Sequence, residues 1–304
     1  MATVGLIARA CNSGLGTCSW EMANHIKFDQ IQLVKRKYEW FPERFYNVVD
    51  NLTTDIVVAI ETPYEWEVFR NRRSVLVPMY ECTNYPFPVA PSKVIAPSLL
   101  DAKFYEGSTY LPFPINRNVL PFKKRERANV FVHNTGHGGL GSRNGTKDLL
   151  DAMEFVKSDI KLIINTQIPF TTNDPRVVVK IHDAKNYWEN WGEGDVFIFP
   201  EKFNGLSLPI QEAMSVGMPI MSTDRYPFNA FLPRELLIPV GRYERKRIST
   251  TFQSAVLDPK TIAKKIDEWA GKDIGAYSQQ MDETAQMMSW DRLADKWKSE
   301  ILSA

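Results

Sequence analysis

Short, uninterrupted apolar runs recur along the chain, separated by stretches in which apolar residues return every three or four positions. In the first half the runs start at Thr3 (TVGLIARA), Gln30 (QIQLVKR), Asp55 (DIVVAI), Ser74 (SVLVPMY) and Lys93 (KVIAPS). In the second half they start at Asn129 (NVFVHNT), Lys161 (KLIINTQ), Arg176 (RVVVKIHD), Asp195 (DVFIFP), Pro219 (PIMSTD) and Leu236 (LLIPVG). Continuous rather than alternating apolarity belongs to strands covered on both faces, as in a parallel sheet. Between the runs, the segments Gly145–Lys157 and Ser207–Gly217 carry helical spacing. Strand and helix in repetition predict an α/β fold of the doubly wound kind. The pattern runs twice, with a break at Tyr110–Asn129, where Pro112, Pro114, Pro121 and a basic cluster interrupt it. Proline fixes its own φ and restricts its predecessor, so this stretch predicts a connector between two domains, residues 1–117 and 118–285. Two helical segments follow, one from Pro259 and one through residues 287–302. In the second, Trp290, Leu293, Ala294 and Trp297 share a face that has to dock on something.

Composition narrows the class. With 304 residues and 44% hydrophobic content, the chain is able to bury full cores, and its length suits two domains. Lys+Arg 37 against Asp+Glu 36 leaves +1, so no global charge draws it to nucleic acid or an anionic membrane. Cys11, Cys18 and Cys82 are an odd number at spacings unsuited to a disulfide framework, which predicts free thiols in a reducing, cytoplasmic compartment. The opening apolar run lacks a basic leader and a cleavage pattern, and no window approaches a membrane span. Neither a signal peptide nor a transmembrane segment is expected.

Three loops are candidates for chemistry. The first, Asn12-Ser-Gly-Leu-Gly-Thr, follows the first strand and opens a helix capped by Thr17 or Ser19. Gly14 and Gly16 let the backbone approach a ligand around Leu15, and the helix N-terminus behind them suits phosphate. A turn that needs glycine for geometry alone is the alternative. The second loop, from His133 through Gly145 to Lys147, is another glycine-rich strand-to-helix passage, with Arg143 and Lys147 as cations for a diphosphate. The third is Pro200-Glu-Lys-Phe-Asn-Gly-Leu-Ser-Leu-Pro-Ile-Gln-Glu-Ala-Met-Ser-Val-Gly-Met-Pro-Ile. There a buried strand ends, the chain turns at Gly205, and Ser207 is placed to cap a helix carrying Glu212. Amides from Gly205 to Leu208 would hold an anion, and a carboxylate accepts hydrogen bonds from sugar hydroxyls; an exposed helix charge is the alternative for Glu212.

The third stretch resembles the signature of retaining GT-B glycosyltransferases, in particular glycosyltransferase family 4, through Gly205, Leu208, Pro209, Glu212, Ala213, Met214, Gly217 and Pro219. The upstream GDVFIFP, the Asn144-Gly-Thr-Lys-Asp-Leu-Leu-Asp-Ala run, the first glycine loop and the tail Ser289-Trp-Asp-Arg-Leu-Ala are similar to further motifs of that family. The resemblance implies two Rossmann-like domains facing a central cleft, with the C-terminal helix, residues 286–304, crossing back to the first domain. It implies transfer of a sugar from a nucleotide-diphosphate donor, UDP- or GDP-linked, to an acceptor hydroxyl with retention and without a metal or other cofactor. By the same resemblance Gly14, Leu15, Gly16, Arg143, His182, Gly205, Leu206, Ser207, Leu208 and Glu212 bind the donor, Glu212 through the ribose and His182 near the base; Lys147 joins them from the charge of the second loop alone, with a solvated surface cation as the alternative.

The departures from the family pattern are specific. Asn204 stands where the family has its first signature glutamate, and Asn144 stands at a lysine position with Arg143 beside it. Asn204 and Glu81 are the catalytic candidates, Glu81 as a group that orients the acceptor hydroxyl. Aromatic residues crowd the first half, and basic clusters lie at Lys35–Lys37, Arg70–Arg73, Lys123–Arg127 and Arg242–Arg247. The acceptor is left open among a glycan, a lipid-linked sugar, a protein and a nucleic acid, including a modified base in DNA. A nucleotide-sugar epimerase and a catalytically silent sugar-nucleotide binder are the rival functions.

Overall fold

The computed structural model describes residues 2–11, 13–34, 44–141, 143–181 and 191–304. They form two compact units: residues 1–114, 247–251 and 288–304 make the first, and residues 115–246 and 252–287 the second. The chain passes from one unit to the other at Pro114–Ile115, inside the proline-rich stretch.

In the first unit the order is β1 (Val4–Arg9), α1 (Gly14–Ile26), β2 (Gln30–Val34), β3 (Val48–Val49), β4 (Ile56–Ile60), β5 (Arg73–Val77), β6 (Lys93–Ala96), α2 (Leu99–Phe104) and β7 (Thr109–Tyr110). The strands make one parallel sheet in the order β3-β2-β1-β4-β5-β6-β7. All of Ile56–Ile60 is buried, as a central strand covered on both faces requires.

The second unit contains β8 (Val130–Gly136), α3 (Thr146–Met153), β9 (Lys161–Thr166), β10 (Val177–Ile181), β11 (Val196–Phe199), α4 (Leu208–Ser215), β12 (Ile220–Ser222), β13 (Arg242–Arg247), β14 (Thr251–Val256), α5 (Pro259–Trp269) and α6 (Gly275–Met287). Its parallel sheet runs β10-β9-β8-β11-β12, and β13 and β14 form a separate two-stranded ribbon. The last helix, α7 (Trp290–Leu302), belongs to the first unit and packs on α1, where the Trp290 and His25 rings stack at 4.7 Å. Trp297 is fully buried beside Phe113, and its indole N–H donates to Pro112 O at 3.1 Å.

Both sheets reverse direction in their winding, between β1 and β4 in the first unit and between β8 and β11 in the second. Loops that leave the carboxyl ends of strands at such a reversal are where doubly wound sheets bind ligands. All three candidate loops leave from one of these strands.

Three expectations need correction. The run from Leu236 forms no strand; a short 3-10 turn, Arg234–Leu236, leads into a single bridge between Thr223 and Ile238. Gly275–Met287 is a helix of its own, so three helices rather than two follow β14. Helix α1 begins at Gly14 with Ser13 as its N-cap; Thr17 and Ser19 lie inside it and donate to Ser13 O and Leu15 O.

Candidate functional site

The second and third loops leave adjacent strands, β8 and β11, and main-chain contacts lock them together. The Lys202 amide donates to Arg143 O at 2.7 Å, and Lys202 Nζ pairs with Asp148 of α3 at 2.7 Å. Gly145 sits at the crossing with φ +77°, and a Cβ there would stand 2.0 Å from Pro200 O. Only glycine satisfies both demands. His133 fixes the base of the crossing. Its ring is fully buried, with Nδ1 2.9 Å from Ile198 O and Nε2 2.9 Å from Thr146 Oγ1. A carbonyl only accepts, so Nδ1 carries the proton and Nε2 accepts from the Thr146 hydroxyl. Burial pulls the His133 pKa down to about 4, which keeps the ring neutral. One imidazole thus ties β8, β11 and the first residue of α3.

The third loop then opens a cradle of donors. Ser207 is the N-cap of α4, and Pro209 occupies the first turn, where a missing N–H costs nothing. Among the described residues, no protein acceptor takes the amides of Gly205, Leu206, Ser207 or Leu208. Among the described residues, the buried Ser207 hydroxyl also has no protein partner. Glu212, one turn further along α4, is 7% exposed. Arg143 lies at the loop crossing with its guanidinium 5.8 Å from the centre of the Phe203 ring, and Phe203 packs on Phe252 at 4.4 Å.

Behind this loop stands an ion pair that the sequence did not suggest. Glu201 is fully buried, and Arg225 Nη1 lies 2.8 and 3.0 Å from its two oxygens. The same nitrogen donates to Asn204 O at 3.1 Å, so the pair holds the backbone of the residue that replaces the signature glutamate. Nothing in local spacing joins positions 24 residues apart. The hint is a glutamate directly after a buried strand, where an unpaired carboxylate is expensive. Lys147 does not join the group: it is exposed and pairs with Asp151 at 2.6 Å, one turn along α3. His182 lies outside the described residues.

In the first unit the glycine loop is shaped by close approach. A Cβ on Gly16 would overlap Cys11 O, at 1.8 Å. Gly14 and Leu15 supply the first turn of α1. Arg9, at the end of β1, is 3% exposed and reaches Thr62 O at 3.5 Å, a buried cation that the apolar run concealed. Glu81 is 1% exposed on the turn that follows β5. Several groups hold that turn. Thr83 Oγ1 accepts from Met79 N at 2.9 Å, Asp101 Oδ1 accepts from Tyr80 N at 2.8 Å, and Thr250 Oγ1 donates to Tyr80 O at 2.6 Å. Burial raises the Asp101 pKa to about 7, with the Glu81 charge adding to the shift, while a hydrogen bond from the Ser98 hydroxyl opposes it.

No family model matches the sequence, and no curated protein matches it. Solved structures do. A HepE protein of Anabaena, crystallised with UDP and glucose, superposes with a TM-score of 0.70 at 11% identity over 100% of both chains. The lipopolysaccharide outer core galactosyltransferase WaaB gives 0.61 at 13% identity over 99% of both chains. Sucrose-phosphate synthase from Thermosynechococcus elongatus gives 0.65 at 12% over 98% of both. At such identities the likeness establishes the fold, and the fold is GT-B.

Proposed function

We propose that this GT-B chain is a retaining glycosyltransferase that takes a sugar from a UDP- or GDP-linked donor. The observation that carries the reading is the cradle at the start of α4: amides of Gly205–Leu208 and the buried Ser207 hydroxyl without protein acceptors, beside Arg143 and Glu212. Amides at a helix N-terminus suit a phosphate, and they need no reorganisation when charge develops on the leaving group. A guanidinium adds bidentate contacts to a diphosphate. Glu212 accepts hydrogen bonds from the ribose hydroxyls. In the first unit, the amides of Gly14, Leu15 and Gly16 at the start of α1 are a second turn suited to an anionic group of the donor. The structures with UDP and with UDP and glucose support the choice of donor class.

In this reading the acceptor oxygen forms a bond to the sugar's C1 while the bond from C1 to the β-phosphate oxygen breaks. The electron pair leaves with the diphosphate, and the hydroxyl proton passes to the departing phosphate on the same face. Asn204 faces the donor sugar with a group that both donates and accepts, and Glu81 orients the acceptor hydroxyl. The amides and Arg143 supply the positive charge, which makes the transfer metal-independent.

Glu212→Ala and Arg143→Ala test this with a panel of nucleotide sugars. The wild type should gain several degrees of Tm from its donor. Both variants, folded as judged by circular dichroism, should lose that gain and release nucleotide diphosphate at least about 100-fold more slowly. Unchanged turnover in both would remove the site assignment. Asn204 motivates the second reading, a silent binder, in which the wild type shows the thermal shift with no acceptor-dependent turnover and Asn204→Glu restores none.

A further inference from the structure

Among the described residues, β13 carries the longest run of exposed cations without side-chain partners. In the cluster Lys123–Arg127, Lys123 and Lys124 are exposed, while Arg125 is 3% exposed and donates to the carbonyls of Gly194, Trp191 and Val216, and Arg127 donates to Gly271 O. In Arg70–Arg73, Arg70 pairs with Glu67, Arg72 donates to Leu52 O, and Arg73 donates to Leu302 O at the end of α7 and to Ala304 O beyond it. The guanidiniums of Arg72, Arg73, Arg125 and Arg127 are engaged by backbone carbonyls, and that of Arg70 is neutralised by Glu67. Lys35–Lys37 lies outside the described residues. On β13, Arg242 pairs with Glu244 at 2.8 Å, while Arg245, Lys246 and Arg247 are exposed, and no hydrogen bond or ion pair engages their side chains among the described residues. The chain as a whole carries +1, so three uncompensated cations in sequence are a local field.

We infer that β13 is a docking surface for a nucleic-acid strand, and, resting on the glycosyltransferase reading, that this strand carries the acceptor hydroxyl. Two further features select this occupant. Strand alternation puts Tyr243, Arg245 and Arg247 on one face, an exposed ring followed by two guanidiniums. At a strand rise of about 3.3 Å the two guanidinium positions are roughly 6.6 Å apart, about the separation of neighbouring phosphates on one strand, and an exposed aromatic gives a base something to stack on. An anionic membrane supplies the same charge but no base for the exposed Tyr243 ring to stack on.

The turn that follows β13 connects this surface to the acceptor residue. Thr250 is buried and its hydroxyl donates to Tyr80 O at 2.6 Å, and Ser249 N donates to Glu81 O at 3.4 Å. The segment after Arg247 therefore bonds to the turn that carries Glu81, and the acceptor hydroxyl belongs to a sugar or base of the strand held on the cations. The transfer is the one described above: that hydroxyl oxygen bonds to C1, the C1–phosphate bond breaks, and the proton leaves with the phosphate.

The experiment is fluorescence anisotropy with labelled single strands of DNA and of RNA of about 20 nucleotides, long enough for one binding site. The full-length protein and the triple variant Arg245→Ala/Lys246→Ala/Arg247→Ala are compared across salt. The wild type should bind with a steep salt dependence. The variant should bind at least about tenfold more weakly near 0.1 M salt, with a log–log slope shallower by about 2. Thermal stabilisation by the nucleotide-sugar donor should be equal in the two proteins, which shows the variant folded. Absence of strand binding, an unchanged slope, or preference for vesicles of phosphatidylglycerol and phosphatidylcholine would overturn the docking surface. Strand binding that behaves as expected, in a protein that no nucleotide sugar stabilises, would leave the surface standing and remove the transferase reading with its acceptor.

Discussion

At the scale of single residues, burial decides what each charged group is for. Lys147 was a candidate cation for a diphosphate, yet its ammonium sits on the surface with Asp151, where an ion pair contributes little. Arg225 matched nothing, yet it is buried against Glu201 and Asn204 O. A buried pair is costly to break from one side, because the remaining charge stays desolvated. Arg225→Met should therefore lower stability by about 3–5 kcal/mol in urea titrations, and Glu201→Gln by a comparable amount. The double variant should recover much of the loss, since it leaves no lone charge. If the two single costs simply add, the pair is not coupled and the loop holding Asn204 is fixed by something else. The sequence could not show this pairing, because its members meet only through the register of β11 beside β12.

At the scale of elements, the same physics explains what was legible. Strands buried on both faces declare themselves by uninterrupted apolar runs, as Ile56–Ile60 and Val196–Phe199 do. The run at Leu236 misleads because burial alone makes a segment apolar: Leu236, Leu237 and Ile238 are all buried, but only Ile238 bridges a neighbour. Strand β13 was hidden for the opposite reason, since a ribbon exposed along its length needs no apolar alternation. The loops were legible as glycine clusters, but not their crossing, which depends on the position of Pro200. Two glycines separate these causes. Gly136 has φ +58° with nothing within 4 Å of a Cβ, whereas Gly145 has φ +77° and the Pro200 carbonyl in the way. Gly136→Ala should cost about 1 kcal/mol, the left-handed backbone penalty alone. Gly145→Ala should cost at least about 3 kcal/mol and also weaken donor stabilisation, because relief of the clash parts the two loops. Equal Tm losses in the two variants would mean that the crossing contributes nothing.

At the scale of the whole molecule, the two units carry buried titratable groups of opposite sign. His133 in the second unit has its pKa lowered to about 4 by burial, below the ordinary value of 6.5. Between those values the unfolded chain binds the extra proton, so the second unit loses stability as pH falls from about 6.5 towards 4. Asp101 in the first unit has its pKa raised from 3.8 to about 7. There the folded form binds the extra proton, so the first unit loses stability as pH rises from about 4 to 7. Across pH 5 to 7 the contributions oppose each other, each on the order of 2 kcal/mol at the ends of the window. Global unfolding should hence vary little with pH, while hydrogen exchange read peptide by peptide should not. Protection in β8 and β11 should fall on acidification from pH 7 to 5, after correction for intrinsic rates, while that in β5 and α2 should rise. Asp101→Asn, which keeps an acceptor for Tyr80 N and offers Ser98 a donor, should abolish the rise without touching the fall. Parallel pH responses in the two units would show that neither buried group sets the stability of its unit, and that the neutral imidazole is not what holds the crossing of the loops together.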